Sequence, residues 1–206
     1  MTAVTSTIAY LLLIAAVCGE RVAELVLSRR HLAWAGRHGG IETGRGHYPW
    51  MVAAHTALLV AAPAEVVLLD RPFLPWLGWP MLAAVAAAQA LRWWCIATLG
   101  KRWNTRIVVV PGMPLVHAGP YRWLRHPNYV AVVAEGVALP LVHTAWLTAL
   151  AFTMVNAVLL AVRIRAENAA LALSPGGPAP RARVPGRRPA PSRGWSPGGS
   201  RPESGS

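Results

Sequence analysis

The chain has 206 residues, 54% of them hydrophobic and only 14% charged, with a mean hydropathy of +0.38 and a net charge of +12. A chain this apolar is not disordered along its length. Its apolar residues come in blocks long enough to cross a bilayer, which argues against a soluble nucleic-acid binder despite the basic balance. Ala3 to Gly19 carries no charge, and its helical pattern runs on to Leu27 with Glu20, Arg21 and Glu24 in the last turns. It lacks the basic lead-in and small-residue cleavage site of a signal peptide, so it reads as a first transmembrane helix. Trp50 to Leu69 is a second, with Glu65 near its end, and Phe73 to Leu99 a third, with Arg92 inside it. Asn128 to Val162 holds one charge, Glu135. As one helix it would be about 52 Å long, against a hydrocarbon core of about 30 Å. Pro140 and the polar His143-Thr144 divide it into a hairpin of two shorter helices. From Ser174 onward Pro, Gly, Ser and Arg dominate, a composition that builds no core and predicts a disordered basic tail.

The expected architecture is therefore all-α: a polytopic membrane protein of about five transmembrane helices, with a structured loop and a C-terminal helical hairpin. Residues 1–173 form the membrane domain and 174–206 the tail. The cations order themselves along this frame. Arg29, Arg30, Arg37 and Arg45 lie between the first two helices; Lys101, Arg102, Arg106, Arg122 and Arg125 lie between the third and fourth; Arg163 and Arg165 end the fifth. The opposite side offers only Arg71. The positive-inside rule then puts these loops and the C-terminus in the cytoplasm and the N-terminus outside. The Arg-rich composition hints at a bacterial plasma (inner) membrane. Charges within spans normally face protein or a polar cavity. Arg92 and Glu135 lie far from either surface and are expected to pair, whereas Glu20 and Arg21 are expected to snorkel or pair locally. Cys18 and Cys95 show no CxxC spacing and read as small buried hydrophobes. His47, His55 and His143 lack metal-ligand spacing, so no metal site is expected.

The segment from Gly100 to Tyr129, GKRWNTRIVVVPGMPLVHAGPYRWLRHPNY, is no plain linker. Ile107 to Val110 is a β-branched run, Pro111-Gly112 a turn, and Met113 to Val116 a second extended piece. A long loop with this much internal structure is usually functional. Gly119 lets backbone approach a ligand closely. Tyr121, Trp123 and Tyr129 offer ring faces to an aromatic group or a sulfonium, and Arg122, Arg125 and His126 offer donors to a carboxylate or phosphate. Free amides in the first turn of the helix after Pro127 add partial positive charge. The set suits a nucleoside-bearing ligand with a carboxylate. The plainer alternative, for Arg122 and Trp123 above all, is a set of membrane-interface anchors.

The string His117 to Tyr129 (HAGPYRWLRHPNY) resembles the G-x-Y-x-x-x-R-H-P-x-Y signature of the isoprenylcysteine carboxyl methyltransferase family. After a hydrophobic hairpin, Arg163 to Glu167 (RIRAE) resembles the family's R-x-x-x-E-E ending. The resemblance covers about residues 90–172. Ala97 to Ile107 is similar to a bacterial branch that methylates alkylpyrones and phenolic lipids beside type III polyketide synthases, which would imply a functional link to such a synthase. The resemblance implies an integral-membrane O-methyltransferase using S-adenosylmethionine. It implies a cofactor cradle of Met113, Pro114, Leu115, Val116, Tyr121, His126, Pro127, Asn128, Tyr129 and Glu167. Arg163 would bind the acceptor and, with Glu167, form the catalytic pair. The family's second acid is Asn168 here, and Glu167 is expected to suffice. The expected partners are a lipophilic acceptor and membrane lipids. Two other classes remain open: a membrane NADPH-dependent lipid or enone reductase, and a non-catalytic scaffold whose basic loops bind anionic lipid.

Overall fold

The structure, a computed structural model, describes residues 2–172; the basic tail expected from Ser174 onward lies outside them. Five α-helices and one two-stranded sheet make the fold: α1 (Ala3–Arg37), β1 (Ile41–Thr43), α2 (Tyr48–Leu68), α3 (Pro75–Leu99), β2 (Ile107–Val109), α4 (Pro127–Leu141) and α5 (Trp146–Leu171). The helical segments from Arg45 to Leu68, Pro75 to Arg102 and Trp146 to Leu171 are long and apolar enough to cross a membrane. Large apolar side chains such as Ile8, Leu12, Val60, Trp76, Leu150 and Val158 point outward, as hydrocarbon solvent requires and water would penalise.

Prolines set most helix starts. Pro49, Pro75 and Pro127 each sit in a first turn, where a missing N–H costs nothing and the fixed φ is already helical. Pro140 does not break α4; it sits in the last turn, and the chain reverses through Thr144 in the left-handed region (φ 56°). The Thr144 hydroxyl donates to the Pro72 carbonyl at 2.8 Å, fastening the hairpin to the α2–α3 turn. The close crossing of α4 and α5 depends on Gly136, where any Cβ would collide with the Phe152 ring.

The α5 N-terminus has no side-chain cap of its own. Glu65, from α2, supplies it. Its carboxylate accepts from the Leu147 and Thr148 amides (3.2 and 2.7 Å), from the Thr148 hydroxyl (2.8 Å) and from Arg71 (2.9 and 3.0 Å). A buried carboxylate carrying this many donors leaves orphaned amides when removed. Glu65→Ala is expected to destabilise the protein by about 2–3 kcal/mol, read as a shifted midpoint in an SDS-titration unfolding curve, with Glu65→Gln losing less.

Two features go beyond the sequence reading. α1 does not stop near Leu27 but runs to Arg37, about 52 Å in all. Nothing in Ser28 to Arg37 breaks a helix, and the chain leaves it only at Gly39 (φ 73°) and Gly40. The extension is held by the 100–129 loop. The Ser28 hydroxyl donates to Asn104 Oδ1 (2.8 Å) and accepts from the Thr105 amide (3.1 Å), and His31 Nδ1 lies 2.7 Å from the Trp103 carbonyl. The β-branched run also finds a partner that the sequence did not advertise. Ile107–Val109 pairs antiparallel with Ile41–Thr43, Val108 opposite Glu42. Glu42 then binds Arg106 at 2.8 Å, and this bond holds the Arg106 guanidinium charged beyond its ordinary range.

Within the bundle, Arg92 and Glu135 are paired, joining α3 to α4. Arg21 and Glu24 of α1 adjoin them, with Arg21 also bound to Gln89 (3.0 Å) and Glu20 to Gln89. Tyr10, Ile14, Val17, Val66, Val85 and Leu139 pack the apolar core at the other end of the bundle.

Candidate functional site

The last turns of α5 carry Arg163, Glu167 and Asn168. Residues four apart share one helical face, and that face looks onto the first turn of α4. There the chain passes from the single turn Gly119–Arg122 through His126, the residue before Pro127, into the helix. Between these elements and the 100–116 strand region lies a cavity of about 540 Å³.

A hydrogen-bonded chain runs along its floor. Arg163 Nε donates to the Tyr129 hydroxyl (2.9 Å), and that hydroxyl donates to Glu167 Oε2. Glu167 Oε1 lies 3.7 Å from His126 Nδ1, and His126 Nε2 lies 3.1 Å from Asn168 Oδ1. The His126 and Tyr129 rings stack at 5.2 Å. Arg163 and Glu167 thus share Tyr129 as an intermediary. The Glu167 carboxylate beside His126 raises the imidazole pKa above its ordinary value, aided by Asn168 and opposed by burial and Arg125. Asn168, an acid in the family pattern, here accepts a hydrogen bond from the imidazole. Burial pushes the Tyr121 phenol well above its ordinary range, so it meets a ligand as a neutral donor.

Of the residues singled out for the cofactor cradle, Met113, Leu115, Val116, Tyr121, His126, Pro127, Asn128, Tyr129 and Glu167 all line this cavity. Pro114 does not; its carbonyl accepts from Arg102, itself a lining residue, at 2.7 Å. Arg125 lines the cavity, but Arg122 and Trp123 do not. Trp123 is 69% exposed, edge-on to Trp94, with Arg122 over its ring, as interface anchors would be. The sequence reading missed Trp103, Asn104 and Val108 to Val110, which form the far wall. Their only signal was an extended run without an evident partner strand.

A second cavity of about 170 Å³ lies deeper in the bundle. Leu25, Val52, Leu59 and Val132 give it apolar walls, and Leu25, Val52 and Thr56 are exposed on the outer surface of α1 and α2. Trp103, Asn128, Tyr129 and Arg163 line both cavities. Arg163 stands at the junction. Its Nη2 donates to the Thr105 carbonyl (2.7 Å), while Nη1 has the Met51 sulfur at 3.4 Å.

Residues 81–173, which hold nearly every wall of the larger cavity, match the isoprenylcysteine carboxyl methyltransferase family. An uncharacterized Bacillus subtilis protein, YpbQ, is 42% identical over 161 residues, 78% of this chain and 95% of its own length. The chain belongs to the isoprenylcysteine carboxyl methyltransferase family. An uncharacterized Haemophilus influenzae protein is 28% identical over 160 residues, 76% of this chain and 91% of that one. No solved structure matches the chain. Membership makes this an integral-membrane protein of a methyltransferase family. The family match begins inside α3, so the larger cavity is almost wholly family sequence. The smaller one draws Arg21, Glu24, Leu25, Tyr48, Met51, Val52, His55, Thr56 and Leu59 from the part before it.

Proposed function

We propose that this protein transfers the methyl group of S-adenosylmethionine to an oxygen of a lipophilic acceptor, an alkylpyrone, a phenolic lipid or a prenylcysteine-like carboxylate. The reaction site lies at the cytoplasmic face of a bacterial inner membrane, with the N-terminus outside. The observation that carries the reading is the pair of cavities meeting at Tyr129 and Arg163: a larger one beside the loops, which includes Arg125, His126 and Glu167 in its lining, and a smaller one whose Leu25, Val52, Leu59 and Val132 wall opens sideways between α1 and α2. A water-soluble donor and a lipid-soluble acceptor need such an arrangement, because each enters from the solvent it prefers.

The larger cavity fits the donor. Its volume is in the range of ordinary ligand pockets, about 300–1,000 Å³. Asn128 and Trp103 are among its lining residues, and their Oδ1 and Nε1 atoms have no hydrogen-bond partner within the protein. Arg125 and the His126 imidazolium suit a carboxylate; Glu167 suits an ammonium group; the Tyr121 and Tyr129 faces suit a sulfonium or a purine. The bound donor supplies an electrophilic methyl: the acceptor oxygen forms the new C–O bond as the C–S bond breaks to leave a neutral thioether. The protein's part is alignment within about 3–3.5 Å and exclusion of water. Arg163 Nη1, whose thioether partner is a weak acceptor, is the donor free to orient an acceptor oxygen. An enolate or carboxylate arrives ionised and needs only that. A phenol, with a pKa of about 10, must lose a proton, and the Tyr129 hydroxyl leads from it to Glu167.

Calorimetric titration of the purified protein in detergent with S-adenosylmethionine tests this reading. Binding is expected. It should stay level at pH 5–6.5 and weaken as pH rises through the His126 pKa. That pKa is raised, so the favourable charge is complete below the ordinary value and lost only above it. His126→Ala is expected to bind about tenfold more weakly, without that pH break. Thermal protection by NADPH and none by S-adenosylmethionine would mean a reductase. Binding of neither, with salt-sensitive adhesion to anionic vesicles, would mean a scaffold.

A further inference from the structure

Arg163 has two oxygen anchors, and they come from different elements. The Tyr129 hydroxyl, on α4, holds Nε at 2.9 Å, and the Thr105 carbonyl holds Nη2 at 2.7 Å. Held at Nε alone, the planar guanidinium is free to turn about that bond, so the Thr105 carbonyl fixes where Nη1 points. Thr105 lies between the turn Gly100–Arg102 and β2, before the first paired residue, Ile107. The ladder therefore does not place its carbonyl. Trp103, Asn104 and Thr105 form the partition between the cavities: Asn104 lines the larger, Thr105 the smaller and Trp103 both. An irregular strip of backbone holds its shape only where its polar groups have fixed partners.

Those partners are supplied by Ser28 of α1, which is 4% exposed. Its hydroxyl donates to Asn104 Oδ1 (2.8 Å) and accepts from the Thr105 amide (3.1 Å). The Thr105 hydroxyl lies 2.8 Å away and completes the set as a second donor, with the Tyr48 hydroxyl 3.3 Å behind it. Asn104 reaches back: its Nδ2 donates to the Ser28 carbonyl (3.2 Å), while Oδ1 also accepts from the Arg106 amide (3.0 Å). One hydroxyl thus fills its single donor and both acceptor roles and ties down the turn on either side of the Thr105 carbonyl. A serine inside a helix ordinarily points to solvent or bonds its own helix; Ser28 spends its hydroxyl on the loop. We propose that Ser28 is a positioning residue for methyl transfer, holding the Asn104–Thr105 turn so that the Thr105 carbonyl aims Arg163 at the acceptor oxygen. This rests on the acceptor role given to Arg163. Ser28 lies outside residues 81–173, so a segment outside the family match sets the geometry of a residue inside it. A misplacement of about 1 Å at a reacting centre costs about a hundredfold in rate, which gives leverage to a hydroxyl that touches no reactant.

Two double-substitution cycles with Arg163→Ala test this, the first without any chemistry. Amide exchange of residues 103–107 is read by mass spectrometry on the full chain in detergent, with neither donor nor acceptor present. Ser28→Ala is expected to speed it at least fivefold. The double variant should exceed the faster single one by less than twofold, because either loss releases the same turn. In the second cycle, methyl-labelled S-adenosylmethionine is reacted with 5-pentadecylresorcinol and with N-acetyl-S-farnesylcysteine. For the probe that the wild type methylates, Ser28→Ala is expected to lower kcat about tenfold, with donor affinity held within twofold. In the Arg163→Ala background the same substitution should cost less than twofold, and Ser28→Thr, which keeps the hydroxyl, should recover the wild-type rate within threefold. Should Ser28→Ala fail to fold, Ser28→Cys, which fills the space but hydrogen-bonds weakly, takes its place in both cycles. Unchanged exchange, independent effects in either cycle, or no recovery in Ser28→Thr would overturn the proposal. A coupled exchange cycle in a protein that methylates neither probe and ignores S-adenosylmethionine would uphold the Ser28–Arg163 linkage and refute the methyltransferase reading alone.

Discussion

Arg163→Ala is expected to lower kcat/KM for methyl transfer to a lipid acceptor by about 10²–10³-fold, with affinity for S-adenosylmethionine changed by no more than about threefold. Arg163 lies 7% exposed between the two cavities, bound to the Tyr129 hydroxyl, the Thr105 carbonyl and the Met51 sulfur. Removing one positioned donor to an anionic oxygen typically costs about 10²–10³ in rate, about 2.7–4 kcal/mol. The loss should fall on the acceptor side, since the donor groups named above sit further along the Tyr129–Glu167–His126 chain. Arg163→Lys should rescue little: a single ammonium cannot reach three acceptors held in a planar fork. Single-turnover rates beside calorimetric donor affinities make the comparison. An equal collapse of donor binding would move Arg163 into the donor site.

Glu167→Ala carries the second large effect. The carboxylate is expected to face the donor's ammonium, and its loss should weaken S-adenosylmethionine about 10–100-fold, the equivalent of a charged hydrogen bond of about 1.5–3 kcal/mol. The variant has an independent signature in pH. Glu167 is the chief cause of the raised His126 pKa. Without it that pKa falls toward its ordinary value, so the decline of donor affinity with rising pH should begin at lower pH than in the wild type. Glu167→Gln keeps an acceptor for the Tyr129 hydroxyl but not the charge, and should share the pH shift with a smaller loss of affinity. An unmoved pH profile in both variants would separate Glu167 from His126.

Much of the site was readable because its parts lie in two short strings. His126-Pro127 and the i, i+4 pair Arg163 and Glu167 each have local geometry that spacing dictates: a proline-led first turn in one case, a shared helical face in the other. The Arg92–Glu135 pair was equally legible, since two opposite charges deep in apolar helices have few other partners. The sequence leaves Trp123 and Arg122 open between ligand contacts and interface anchors. An aromatic and an arginine beside the signature are chemically fit for a ligand, but a helical turn of one residue more or less decides whether they face the cavity or the surface, and here Trp123 lies edge-on to Trp94 with Arg122 over its ring, outside the cavity.

The amino-acid sequence by itself determined that this is a helical membrane protein with a structured loop, because hydrophobic blocks, prolines and charges act through local and solvent terms that need no partner. It also singled out most of the residues that the structure brings to one cavity. Only the tertiary structure decided what those residues meet. The pairing of Ile41–Thr43 with Ile107–Val109, the reach of α1 to the Trp103–Thr105 backbone, and the contacts of Arg21 and Glu24 with Glu135 and Arg92 all join segments distant in the chain. Such contacts depend on three-dimensional packing and on the balance of desolvation against hydrogen bonding at each buried group, and no local pattern encodes that balance.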